Sequence, residues 1–260
     1  MDLEQIHQTA RAIALSGGEV AMRWFRNRDL EIQLKADESP VTAADRTTEE
    51  TMREMILRAY PDHGILGEEH GGSLDSAGPL WVVDPIDGTK TFIRGVPLFT
   101  TLVAFLLDGI PQVGVIHAPA TGETVSAWLG GGAWDETMNR VHVSADRPLN
   151  EAWFGTTDPS DLFRRHPEFT KKMLQECEAT RTWADGYGYM LLARGDLDIM
   201  VDPIMAPWDI APLGVVVREA GGVFTNFAGG EEAMGCSGIA VASAGLHRRV
   251  MACLGAAPRS

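Results

Sequence analysis

The chain is poor in the features that would tie it to the cell exterior, to zinc or to a membrane. Its three cysteines, Cys177, Cys236 and Cys253, are odd in number, far apart and without a Cys-x-x-Cys spacing. Neither a disulfide framework nor a thiolate metal site is supported, and reduced, mostly buried thiols in the cytosol are expected. The seven histidines include no His-x-x-x-His pair, so an imidazole-held zinc lacks its usual spacing. No apolar run is long enough to span a bilayer, and Asp2 and Glu4 sit where a secretory signal needs an unbroken apolar core. Positive charge is scarce: 22 Lys and Arg face 36 Asp and Glu, a formal charge of −14. Such a surface repels the phosphates of nucleic acid and of anionic lipid, so neither is an expected partner.

What is present is the makings of an interior. Hydrophobic residues form 45% of 260, a length near the upper limit for one core, so two layered halves are expected. Leu3, Ile6, Ala10, Ile13, Ala14, Ala21, Trp24 and Phe25 recur at helical spacing, and Gly17-Gly18 inside that helix has no Gly-Lys-Ser/Thr after it, which points to close packing instead of a phosphate loop. Leu30, Ile32 and Leu34 alternate as a strand that ends near Lys35. Pro40 to Asp45 leads into a second helical pattern with Met52, Met55, Ile56 and Ala59. Strands over 98–107, 112–117 and 124–129, divided by Gly or Pro turns, predict a meander with one helix pair packed on it. Beyond the polar turn Ser144 to Pro148, strand and helix patterns alternate. The predicted halves are 1–145 and 146–260.

The chemistry concentrates at Trp81-Val82-Val83-Asp84-Pro85-Ile86-Asp87-Gly88-Thr89. The apolar run reads as a buried strand that stops at Asp84, because Pro85 has no N–H for the ladder. Gly88 permits a tight turn, and the following Thr89 to Ile93 can open a short helix whose free N–H groups attract an anion. Two carboxylates beside an anion pocket repel phosphate unless a cation lies between them, and an all-oxygen ligand set suits Mg²⁺. Three further acids stand in comparable places. Glu68 or Glu69 emerges after the apolar run Gly64-Ile65-Leu66, Asp209 precedes the apolar run Leu213 to Val217 where an N-cap belongs, and Asp45 opens the second helix. Taken singly, Asp209 and Asp45 read equally well as caps or as first-turn acids facing the helix dipole.

Together these pieces resemble the inositol monophosphatase superfamily of Mg²⁺-dependent, lithium-sensitive phosphatases, whose three signatures occur here in order: Gly67-Glu68-Glu69, Asp84-Pro85-Ile86-Asp87-Gly88-Thr89 and Trp208-Asp209. The resemblance spans nearly the whole chain. It implies an α/β protein of layered α+β type, the αβαβα sandwich of that superfamily, commonly a homodimer and cytoplasmic. It further implies two or three Mg²⁺ ions, with Mn²⁺ as a substitute, held by Glu68, Asp84, the Ile86 carbonyl, Asp87 and Asp209. Asp45 and Thr89 would orient the attacking water, and Gly88 and Thr89 would bind phosphate oxygens; Lys35, at the strand end after Leu34, reads equally as an aid to the metal and phosphate site and as a surface lysine. Haloacid-dehalogenase-type phosphatases also carry paired aspartates at a strand end, separated by one residue. Here Pro85 and Ile86 lie between, and the additional residue is expected to turn the second carboxylate to the other strand face, which favours direct attack by water over a phospho-Asp84 intermediate.

The alcohol is addressed by a different segment. Arg181-Thr182-Trp183-Ala184-Asp185-Gly186-Tyr187-Gly188-Tyr189 sets an acid among three aromatics. It resembles the histidinol-phosphate phosphatase branch, as does Thr91-Phe92, although Ala184 stands where that branch commonly has glycine. The substrate implied is histidinol phosphate, whose ammonium could pair with Asp185 and whose imidazole could stack on an aromatic face. The tyrosines read better as packing at a helix start, whereas Asp185, which could cap that helix, reads better as a substrate contact. Inositol phosphates or phosphoadenosine phosphate are the alternative substrates. A role without catalysis, as a binding partner in RNA processing, is the alternative of another class.

Overall fold

The computed structural model describes residues 2–27, 32–34, 40–73, 77–183, 185–231 and 237–255, so the expectations placed on Leu30, Lys35 and Cys236 fall outside the described residues. Asp2 opens α1 (Leu3–Trp24) by accepting the N–H groups of Glu4 at 3.0 Å and Gln5 at 3.2 Å. The face carrying Ile6, Ala10, Ile13 and Ala14 packs with Met52 and Ile56 of α2 (Ala43–Ala59). Close packing accounts for the paired glycines of α1: a Cβ on Gly17 would meet Met52 at 3.0 Å, and one on Gly18 would meet His117 at 2.6 Å. A small antiparallel pair, β1 (Ile32–Leu34) and β2 (Pro40–Thr42), precedes α2.

The helix pair covers a sheet made of β3 (Gly64–Gly67), β4 (Pro79–Asp87), β5 (Thr100–Leu107), β6 (Ile110–Ala118), β7 (Glu123–Trp128), β8 (Gly132–Trp134) and β9 (Arg140–Val141), paired in chain order. β3 and β4 run parallel, and the other pairs are antiparallel, which is the meander the turn residues predict. The short α3 (Thr89–Ile93) leaves the end of β4. A second sheet has the order β11-β10-β12-β14-β13, from β10 (Trp153–Gly155), β11 (Ala179–Arg181), β12 (Ile199–Asp202), β13 (Val223–Thr225) and β14 (Gly238–Val241). Its helices are α4 (Pro159–Arg165), α5 (Pro167–Glu176), α6 (Asp185–Ala193), α7 (Pro207–Glu219) and α8 (Ala244–Cys253).

Period-two alternation on β4 builds two cores at once. Trp81 and Val83 pack toward α1 and α2, whereas Leu80 and Val82 pack toward Ala211 of α7. Helices α6 and α7 are sandwiched between the sheets: Met190, Leu213 and Val216 share one core with Leu102 and Ile116 of the first sheet and with Met200 and Ala240 of the second. The far face of the second sheet, with Phe154, Ile199 and Val241, packs on Leu162, Phe169, Met173, Leu246 and Val250 of α4, α5 and α8. The result is an αβαβα sandwich. The helical layer approaches the first sheet so closely that a Cβ on Gly114 would overlap the Pro212 carbonyl oxygen. No helix among the described residues is long and apolar enough to cross a membrane.

Two expectations for β4 are corrected. The strand does not end at Asp84; it continues to Asp87 through a bulge, because Asp84 opposes Leu102 and Asp87 opposes Thr100, leaving Pro85 and Ile86 across from Thr101 alone. A bulge is where a proline fits a ladder, since its missing N–H is not needed there. The same inserted residue undoes the face argument: side chains three apart on a regular strand diverge, but here the bulge returns Asp87 to the side of Asp84. Spacing alone therefore does not distinguish this site from a paired-aspartate site of the other phosphatase type.

Candidate active site

Acids from two elements distant in sequence, β4 and α7, meet at the end of β4. One carboxylate oxygen from each of Asp84, Asp87 and Asp209 lies within 4.8 Å of the others. Each is held by its own local chemistry. Asp84 is buried and its Oδ1 accepts the Ile86 N–H at 3.0 Å, which stiffens the bulge. Asp87 Oδ2 accepts from the Thr100 hydroxyl at 2.5 Å and from the Gly186 N–H at 2.6 Å, joining the first sheet to α6. Asp209 is corrected from N-cap to third residue of α7. Ala206 holds the cap position and Pro207, whose fixed φ suits a first helical residue, starts the helix earlier than the apolar run suggests. Asp209 reaches back to accept the Ala206 N–H at 2.8 Å.

Glu68 leaves the end of β3, with its N–H on the Val83 carbonyl at 3.3 Å, and its carboxyl group is a hydrogen-bonded neighbour of Asp84. On the opposite side, Thr89 donates toward Asp45 Oδ1 at 3.3 Å and the Ile86 carbonyl at 3.1 Å. Asp45, third residue of α2, divides its two carboxylate oxygens. Its Oδ2 completes a capping box, accepting from the Thr42 N–H at 2.8 Å and hydroxyl at 2.6 Å, while Oδ1 faces Thr89. Gly88 has φ 83°, a conformation glycine adopts without strain, and its bare Cα leaves room for the Asp185 carboxylate, 2.6 Å from where a Cβ would stand.

Burial and mutual repulsion act together on this cluster. Asp84 is pushed well above the usual carboxylate range by desolvation, then by Glu68, Asp87 and Asp209; Asp209 is raised in the same way, first by burial and then by Asp87. Asp87 rises to about 6 through burial, with the Thr100 and Gly186 bonds holding it back. Removing such charges from water is unfavourable unless a counter-charge arrives. The oxygen-only donor set, carboxylates plus the Ile86 carbonyl, fits a hard divalent cation and gives no foothold to a soft one. These residues line a cavity of about 250 Å³ with Gly88, Thr89, Met205 and Trp208. A larger hollow of about 480 Å³ between the ends of α1 and α3 is lined by Trp24, Arg26, Phe92 and Arg94, with no acid among its described lining residues, so it offers such a cation no ligand.

Next to Asp87 lies a narrow hollow of about 70 Å³, sharing Asp87, Met205 and Asp209 with the acidic cavity and lined further by Asp185, Asp202, Thr157 and Tyr189. Asp185 begins α6 in a left-handed conformation with φ 56°; its N–H is held by Thr157 Oγ1 at 3.0 Å and its Oδ2 by the Thr91 hydroxyl at 3.2 Å. Burial first, then Asp87 and Asp202, push its carboxyl up to about 8. Two of the three aromatics around it, Trp183 and Tyr187, face elsewhere, and Tyr189 lines the hollow itself. Trp183 stacks on Trp153 at 6.0 Å, Tyr187 donates to Glu123 at 2.8 Å, and fully buried Tyr189 donates to Asp202 at 3.0 Å. Two acids near the site were not singled out from sequence. Asp202 ends an apolar strand just as Asp84 follows one, and Glu49 lies four residues after Asp45 on the buried face of α2; an acid in either pattern is the available signal.

A family pattern matches nearly the whole chain. The model of the Inositol monophosphatase family matches residues 2–258. The chain is 39% identical to a Mycobacterium tuberculosis protein named Histidinol-phosphatase, over 95% of this chain and 96% of that one. It is 33% identical to Nus factor SuhB of Pasteurella multocida, over 90% and 89% of the two chains. A solved inositol monophosphatase from Zymomonas mobilis superposes with a TM-score of 0.86 at 30% identity, covering 98% of this chain and 99% of that one. The chain belongs to the inositol monophosphatase family and is a phosphoric monoester hydrolase.

Proposed function

We propose that this phosphatase hydrolyses histidinol phosphate to histidinol and inorganic phosphate, the phosphatase step of histidine biosynthesis, in the cytoplasm and with Mg²⁺ in its acidic cage. Glu68, Asp84 and the Ile86 carbonyl would hold one ion, and Asp84, Asp87 and Asp209 a second. When bound, Mg²⁺ offsets the repulsion between these acids and phosphate and stabilises charge on the attacking and leaving oxygens. The chain's own groups do the rest. The Thr89 hydroxyl, donating toward Asp45, leaves its oxygen lone pairs to accept from a water and aim it at phosphorus. The Gly88 and Thr89 N–H groups, without intrahelical acceptors at the start of α3, receive phosphate oxygens. Water oxygen gives up one proton and bonds to phosphorus as the P–O bond to the alcohol breaks, and the departing alkoxide takes up one proton in turn, so that none is gained or lost overall. The organisation into halves 1–145 and 146–260, with Asp209 reaching across, is part of the same proposal.

The observation that carries the choice of alcohol is the acid Asp185, set beside Asp202 in the narrow hollow next to Asp87. An acid at the leaving-group end suits an alcohol that carries an ammonium, whose charge favours the ionised form of Asp185, whereas the hydroxyls of a polyol offer it only neutral hydrogen bonds. Likeness to a protein named Histidinol-phosphatase supports the same reading. With Trp183 and Tyr187 engaged elsewhere, stacking of the imidazole on this segment is not part of the proposal. The test is a panel of esters with Asp185→Asn beside the wild type. Histidinol phosphate should be the best substrate, and the variant should lose roughly 30-fold or more in kcat/KM on it, about 2 kcal/mol, while losing little on an aryl phosphate. Equal losses on both esters, or equal wild-type rates on inositol phosphate, would refute it. A partner role without catalysis is favoured only by the likeness to Nus factor SuhB, and absence of Mg²⁺-dependent phosphate release from every ester would point to it.

A further inference from the structure

Glu49 is fully buried on α2, yet it makes no contact with substrate space. Its carboxylate collects three donors. Oε2 accepts the Glu69 N–H at 2.7 Å, and Oε1 accepts the His70 N–H at 3.2 Å and Arg53 Nε at 2.7 Å. Arg53 then reaches on to the Gly71 carbonyl at 2.5 Å. The turn over residues 67–71 is thereby fixed at every amide before Gly71: Gly67 on the Gly71 carbonyl at 3.0 Å, Glu68 on Val83 at 3.3 Å, and Glu69 and His70 on Glu49. A buried carboxylate is an unfavourable way to brace a surface turn unless the placement of that turn matters. Glu68, carried by this turn, raises the Asp84 carboxyl and shares its cavity.

The glycine of Gly67-Glu68-Glu69 gains a physical reason from the same contact. Gly67 does not have the positive φ that favours glycine, so its conformation does not demand one. A Cβ there would instead overlap Glu49 Oε1. The missing side chain makes room for the carboxylate that holds the next two amides.

We propose that Glu49 is a positioning residue for the metal cage: it sets the Glu68 carboxylate against Asp84 by anchoring the turn that carries it. This rests on the reading of Glu68 as a metal ligand. A purely structural brace would change unfolding alone, whereas a positioning residue changes cation affinity at fixed fold. The experiment is calorimetric titration of Mn²⁺ into the full-length protein without substrate, for wild type, Glu68→Gln, Glu49→Gln and Gly67→Ala, with melting curves for each. In Glu49→Gln an amide NH₂ must face one of the three donors, so the turn loosens. Mn²⁺ should bind about 10-fold more weakly, the loss typical when a group that orients a ligand is removed. Gly67→Ala, which displaces the carboxylate without deleting it, should do the same. Combined with Glu49→Ala, which vacates the space, it should add no further loss of affinity. In turnover assays the metal requirement should rise while KM for the ester stays put.

If Glu68→Gln weakens Mn²⁺ binding but folded Glu49→Gln and Gly67→Ala bind it like wild type, the role given to Glu49 is wrong and the cage stands. If Glu68→Gln itself leaves affinity unchanged, the cage assignment fails first.

Discussion

Asp87→Asn separates what the site does for catalysis from what it does to stability, with opposite signs. The Asn side chain can keep its amide oxygen on the Thr100 hydroxyl and the Gly186 N–H, the two bonds that hold Asp87 now at 2.5 and 2.6 Å. Its NH₂ then replaces the remaining carboxylate oxygen and offers donors to the acid cluster. The ligand oxygens lie within 4.8 Å of one another, and at that outer limit, with an effective dielectric near 20, two full charges repel by about 3.5 kcal/mol. The raised pKa values mean that the cluster already relieves part of this by holding protons. About 2 kcal/mol is therefore left to gain, which in a chain of this size is a rise of roughly 4–8 °C in melting temperature. In EDTA the variant should be more stable than wild type by this amount. In saturating Mg²⁺ the wild type should recover the difference through cation binding, while turnover of the variant should fall about a thousandfold, or ~4 kcal/mol. The assay is a pair of melting curves, with chelator and with Mg²⁺, beside phosphate release. A variant less stable than wild type in EDTA would show that these acids do not strain the fold, and retained turnover would show that Asp87 is no ligand.

Two further outcomes follow from the packing. Gly114→Ala should destabilise by about 3 kcal/mol, the upper end for overpacking, because the new methyl meets the backbone carbonyl of Pro212 and neither β6 nor α7 can yield a side chain; urea unfolding would show it, and a change under 1 kcal/mol would refute the close approach. His7, with Nε2 at 2.9 Å from Ser126 Oγ, has its pKa lowered to about 4 by burial and then by the charge of Arg11. The unfolded state, with an ordinary imidazole, takes up the proton first, so this contribution is intact above about pH 6.5 and is lost as pH falls toward 4. Between pH 7 and 5 it amounts to about 2 kcal/mol, and His7→Asn should flatten the stability–pH profile by that much; an unchanged slope would contradict the buried neutral state.

Much of this molecule is written in short-range patterns. The helical face of α1, the meander of β5 to β7 and the ordered motifs around Glu68, Asp84 and Asp209 follow from periodicity and residue type. What local pattern could not express is geometry set by a partner element. The bulge at Pro85 exists only against β5, where Thr101 stands opposite two residues, and it reverses the side to which Asp87 points. The start of α7 is set by Pro207 and by the reach of Asp209 to Ala206, ahead of the apolar run. Trp183 and Tyr187 were legible as unusual but not as turned away, because Trp153 and Glu123 lie far off in sequence. Glu49 and Asp202 look like ordinary acids until their neighbours from other elements are in place.

The claim beneath all of this is that acids from distant segments form one cation cage. Anomalous diffraction from crystals soaked in Mn²⁺ with phosphate addresses it without reliance on turnover. The account predicts manganese peaks at ligand distance, about 2.2 Å, from Asp84, flanked by Glu68 on one side and by Asp87 and Asp209 on the other. Manganese bound elsewhere, with no peak between these carboxylates, would contradict it.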